Sequence, residues 1–174
     1  MVLPSAGDDS VNVNPDGVGS ANVLFDATQR IGSLLVGLGG KATLTAGGSK
    51  VLTATFLSLA GTLDLTDNDF ILDYSAGTPL TTMSNLIKQA RSGGTWNGAG
   101  LTSSTARTAP QHNTTLGLME ASEFKTLRGA AATFSGETID TTAVLVKYTY
   151  YGDADFNGKV NFDDYVRTDA GFGN

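Results

Sequence analysis

The chain has 174 residues, 40% of them apolar and 16% charged, with a formal net charge of −6. That size and apolar content suffice for one well-cored domain with a small appendage. The acidic balance argues against nucleic acid or an anionic membrane surface as a partner, since both need a concentrated basic face.

Cysteine is absent and His112 is the single histidine, which excludes disulfides, thiol chemistry and the common zinc and histidine-triad sites. No stretch reaches the length of an apolar membrane-spanning helix, so membrane insertion is not expected. Residues 1–9 carry neither the basic nor the apolar region of a signal peptide. An exported protein would therefore be met here in its mature form or as a fragment.

Residues 1–75 read as short strands closed by glycine turns. Apolar runs cover 10–14, 22–25, 30–37, 41–45, 51–59 and 62–65, and the turns fall at Gly17, Gly39-Gly40, Gly47-Gly48, Gly61 and Asp67-Asn68-Asp69. Turns about eight to ten residues apart, with abundant Thr, Ser, Asn and glycine, signal a β-rich chain. Leu34-Leu35-Val36-Gly37, Ala42-Thr43-Leu44-Thr45-Ala46-Gly47 and Phe56-Leu57-Ser58-Leu59-Ala60-Gly61 echo one another. Such units bury an apolar face only against the next one. The expected fold is mainly β, as a β-solenoid (β-helix-like) or a sandwich sheet stack.

A covering helix is predicted over 81–92. Thr81 or Thr82 caps it, Met83, Leu86, Ile87 and Ala90 make one apolar face, and Gly93-Gly94 stops it. Residues 93–115 read as a long surface loop. In it, Trp96 either stacks on a sugar or plugs the edge of the core, and Asn113-Thr114-Thr115 is an N-glycosylation sequon. Strands fill 116–151, near 116–119, 132–134 and 142–151. Two acidic turns stand out. Asn12 to Gly17 mimics half a metal loop, and Asp64, Asp67, Asn68, Asp69 and Asp73 read as solvated turn residues in preference to a glycosidase-like carboxylate pair.

The sharpest motif begins at Asp153. Asp153, Asp155 and Asn157 occupy positions 1, 3 and 5 of a twelve-residue loop, Lys159 position 7, Asn161 position 9 and Asp164 position 12. This is EF-hand arithmetic, with side-chain oxygens, the Lys159 carbonyl and the turn-forming Gly158 supplying a shell for Ca2+. Aspartate replaces the usual glutamate at position 12. Val160 is expected to point inward and tie the loop to the core, and Phe162, Tyr165 and Val166 to begin the exit helix. Two parts follow: a β-rich domain over 1–151 and a calcium-binding half-repeat over 152–174.

Residues 152–172 resemble one dockerin type I repeat. Leu63-Asp64-Leu65-Thr66-Asp67-Asn68-Asp69, Gly94-Thr95-Trp96-Asn97-Gly98 and residues 144–150, with the opening stretch 3–9, are similar to the C-terminal region of planctomycete-type secreted β-helix proteins built of autotransporter-associated strand repeats. The resemblance implies export, a β-helix and calcium-dependent order. Dockerins pair two repeats and one stands here, which puts cohesin binding in doubt.

Together these readings predict a non-enzymatic structural protein, secreted or at a bacterial cell surface. Copies of it would add strand to strand as a homo-oligomer or fibre, ordered by Ca2+. Val11 and Val13 mark the first candidate assembly strand, Val144 and Val146 the second. The alternative is a carbohydrate-binding or adhesion module that holds polysaccharide through Trp96.

Overall fold

The computed structural model describes residues 9–172, with side chains described to residue 169. Residues 3–8, part of the resemblance above, lie outside the described residues. Eight short strands come first: β1 (Ser10–Val13), β2 (Ala21–Phe25), β3 (Gln29–Val36), β4 (Gly40–Leu44), β5 (Val51–Leu59), β6 (Thr62–Asp64), β7 (Asp69–Asp73) and, after a helix, β8 (Gly100–Thr102). Odd and even strands part into two sheets. One has the order β1-β3-β5-β7-β10-β9, the other β2-β4-β6-β8.

Within each sheet the neighbours among these eight strands are parallel; Ser10 pairs with Ser33, Gln29 with Leu52, and Ala21 with Gly40. Between the sheets lies the core, where Leu34, Leu44, Leu63 and Leu101 are fully buried. Each such leucine contributes about 1.5–3 kcal/mol relative to exposure. The glycine turns permit close stacking: a Cβ on Gly61 would stand 2.3 Å from the Gly40 carbonyl oxygen.

The expected mainly-β solenoid or sandwich is not what the chain forms. Among the described residues the architecture is mixed α/β, with one parallel and one mixed sheet that do not close on each other. Four helices accompany them: α1 (Leu80–Arg91), α2 (Ser104–Thr108), α3 (Ala121–Arg128) and α4 (Phe162–Phe172). The strand rhythm is interrupted after β7, where α1 is inserted before β8, whose Gly100 pairs with Thr62 of β6. The last two strands, β9 (Thr114–Glu120) and β10 (Ala143–Tyr150), run antiparallel to each other, and β10 runs antiparallel to β7.

α1 matches its predicted face, burying Met83, Ile87 and Ala90. Its start differs from expectation. Pro79 is at the N-cap without a side-chain bond, and the Leu80 amide donates to Thr78 Oγ1 at 3.1 Å instead. The predicted loop 93–115 is also corrected: it holds a 3-10 turn, β8, α2 and the start of β9. Strand length explains the omission. Three residues are too few for alternation to show, and β8 is buried on both sides. α2 is recognisable by its cap, since Ser103 Oγ accepts from the Ala106 amide at 2.9 Å. The strand predicted at 132–134 is only a bridge between Phe134 and Glu137, and α3 lies before it.

Asp64, Asn68 and Asp69 are not solvated turn residues either, while Asp67 and Asp73 are half-buried. Asp64 is buried, accepting from the Thr66 and Ser104 amides at 3.1 and 2.9 Å and pairing with Lys41 at 3.2 Å. Asn68 is 1% exposed. Its amide donates to the Thr45 and Leu65 carbonyls at 3.0 and 3.1 Å, and its carbonyl accepts from the Lys50 amide at 3.0 Å. Asp69 accepts from the Tyr148 amide at 2.9 Å, from Lys147 at 3.2 Å and from the Ser135 hydroxyl. These groups satisfy backbone and side-chain donors where the turns cross.

Candidate metal centre

β10 lies between β7 and β9 and carries the chain to the acidic loop. At its end the Tyr151 amide donates to the Asn113 carbonyl at 3.0 Å, and Gly152 turns the backbone at φ 95°, a conformation suited to glycine. The loop then folds around its own carboxylates. Asp153 accepts from the Asn157 and Gly158 amides, both at 3.0 Å, and from the Thr149 hydroxyl. Asp164 accepts from the Ala154 and Asn161 amides at 2.7 and 2.9 Å. Asp155 accepts from the Asn157 amide at 2.9 Å and faces Arg128 at 3.5 Å.

Asp153, Asp155 and Asp164 each bring an oxygen within 4.8 Å of the others. Asp153 is 5% and Asp164 1% exposed, while Asp155 is partly buried. Carboxylates that close repel one another, and the amide donors offset only part of that charge. This triad can hold a metal ion.

The other predicted ligands stand around it in different roles. Asn157 donates its side-chain amide to Asp155 at 3.0 Å and accepts from the Lys159 amide at 2.8 Å. Asn161 accepts from the Asp163 amide at 2.8 Å, which places it as a cap before α4. Lys159 is exposed, so only its backbone carbonyl is a candidate ligand.

Val160 does not anchor the loop: it is 43% exposed. Phe156 does so instead. It adopts φ 62°, is 7% exposed and packs 6.4 Å from the Phe134 ring, which stacks edge-on with Phe124 of α3 at 5.7 Å. Gly117 of β9 leaves room for it, because a Cβ there would lie 2.6 Å from Phe156 Cε1. Sequence reasoning missed Phe156, Gly117, Thr149 and Arg128. A lone aromatic amid Asp, Asn and Gly was the available signal for Phe156; nothing local marks the others.

The assembly strands divide. Val11 and Val13 lie on β1, an edge strand paired only with β3. Val144 and Val146 are fully buried on β10, which has a partner on each side, so that second choice is corrected. The other edge of that sheet is β9. Trp96 is 2% exposed within the main core and offers no face for a sugar. Asn113 is exposed.

No protein-family model, curated protein or solved structure matches the chain.

Proposed function

We propose that the protein is a calcium-ordered structural building block that joins copies of itself edge to edge, as a fibre or layer outside a bacterial cell. The observation that carries this reading is the six-stranded sheet, which among the described residues ends at β1 and β9, each paired on one side only. The Asp9 and Val13 carbonyls accept from amides at Gly32, Ser33 and Gly37. By strand alternation, Ser10 and Asn12 direct their N–H and C=O groups away from β3. β1 holds no lysine and no proline, the residues that commonly blunt an edge. A neighbour's β9 can complete it by main-chain hydrogen bonds.

The metal half of the reading rests on donor chemistry. Asp153, Asp155, Asn157, the Lys159 carbonyl, Asn161 and Asp164 are all oxygen donors, which suits a hard cation, and six or more oxygens suit calcium. Millimolar calcium outside a cell fills even a weak site of this type, which favours an exported protein. The dockerin-like half-repeat would then act as a staple on the sheet's end, not as a docking module.

Sedimentation and negative-stain microscopy with calcium test the assembly. Wild-type protein is expected to form concentration-dependent assemblies, and Asn12→Pro, which removes an outward N–H, to leave monomers. A wild type that stays monomeric at high concentration with calcium overturns the assembly reading. For the metal, chelator is expected to lower the melting temperature, and an unchanged melting curve overturns the calcium reading.

A further inference from the structure

Of the five arginines, Arg30, Arg128 and Arg167 end in ion pairs with Asp73, Asp155 and Glu123, and the exposed Arg107 forms no ion pair among the described residues. Arg91, in the last turn of α1, is held differently. Its Nε donates to Tyr151 Oη at 3.0 Å, and its guanidinium carbon lies 5.4 Å from the Tyr151 ring centroid. Among the described residues no carboxylate stands within ion-pair distance of it. Stacking and one hydrogen bond therefore fix the guanidinium while its two terminal nitrogens keep their donors.

Those donors border an open groove of ≈ 420 Å³ lined by Arg91, Gly93, Gly94, Thr95, His112 and Tyr151, among others. Its lining includes no Asp or Glu, although the chain carries a net charge of −6. Arg91 Nη2 lies 4.0 Å from where a Cβ on Gly94 would stand, and a Cβ on Gly93 would meet nothing within 4 Å. Gly94 thus places no side chain beside Nη2, and Gly93 faces open space. A pre-positioned guanidinium without a carboxylate is a receptor for a planar oxyanion, which it binds through two parallel N–H donors.

We propose that this groove binds a carboxylated polysaccharide, with Arg91 taking the carboxylate of a uronate unit. The hydroxyl of Thr95 and the imidazole of His112 offer polar partners for the flanking sugar hydroxyls. The half-exposed Tyr151 ring supplies an apolar edge for the sugar face. An open groove fits a polymer lying across the surface better than a small molecule that must be enclosed.

Calorimetric titration of the intact chain with oligogalacturonate, and with its methyl-esterified form in which the carboxylates are masked, tests this. Oligogalacturonate is expected to bind and the ester to bind at least about tenfold more weakly, the size of a lost charge-assisted pair. Arg91→Ala should cost about tenfold or more. Arg91→Lys, which keeps the charge and loses the fork, should also weaken binding, while Lys125→Ala on α3 should change it less than about twofold. Melting curves of each variant confirm that it is folded. The proposal is overturned if the ester binds equally, if folded Arg91→Ala retains wild-type affinity, or if wild type binds only a sulfated oligosaccharide or neither probe.

Discussion

Asp164 serves two purposes that separate by substitution. Its carboxylate holds the Ala154 and Asn161 amides at the two ends of the acidic loop, and it supplies one of three converging oxygens. Asp164→Ala removes the acceptor of two part-buried bonds and should cost about 1 kcal/mol even without metal. Asp164→Asn keeps an acceptor, so its metal-free melting temperature should fall less, yet the stabilisation by calcium should vanish. Calorimetry with calcium and with chelator measures both. Tyr74 makes a different prediction. Burial first, and then the hydrogen bond to Glu120, push its hydroxyl above the usual tyrosine value of 10.0. The folded state then holds the proton longer than the unfolded chain, so this stability is present below about pH 10 and lost as pH rises through the folded value. Tyr74→Phe should flatten the decline in denaturation midpoints above pH 10.

At the scale of elements, the metal loop depends on β9 although β9 contributes no ligand. Gly117 admits the Phe156 ring, and Phe156 sets the loop between Asp155 and Asn157. A glycine inside a strand often marks such a close approach. Gly117→Val should displace the ring, destabilise the fold by about 1–3 kcal/mol as overpacking does, and weaken calcium binding from a distance. Titration calorimetry on the folded variant reads the second effect; unchanged affinity would place the loop's order in its own hydrogen bonds alone. α3 joins the same arrangement from the other side, through Phe124 against Phe134 and through Glu123, which pairs with Arg167 of α4 at 2.6 Å.

For the whole molecule, the open edges and the covered ones differ by what packs beside them. α1 lies across β8, where a Cβ on Gly100 would stand 2.5 Å from the Leu86 carbonyl oxygen, so the four-stranded sheet is closed on that side. Among the described residues the six-stranded sheet has no such cover at β1. If copies join through that sheet, Asn12→Pro should block assembly without a loss of melting temperature, since β1 keeps its bonds to β3; dynamic light scattering alongside the melting curves tests both.

Much of this was legible in the sequence. Strands β1 to β6, the apolar face of α1 and the spacing of the Asp153, Asp155 and Asp164 carboxylates all follow from short-range patterns of period 2, of period 3.6, or of fixed offset. What those patterns cannot carry is neighbourhood. β10 reads as a long exposed-edge candidate, yet Val144 and Val146 sit between two partners because β9 returns beside it. Val160 reads as the anchor and Phe156 performs that task, because Gly117, 39 residues earlier, provides the space. The sequence by itself determined which three carboxylates converge in the acidic loop and which faces are apolar, since both depend on local spacing. Only the tertiary structure decided which strands lie at the sheet edges, that the fold is mixed α/β, and that Arg91 stands without a carboxylate among the described residues, since those depend on long-range pairing.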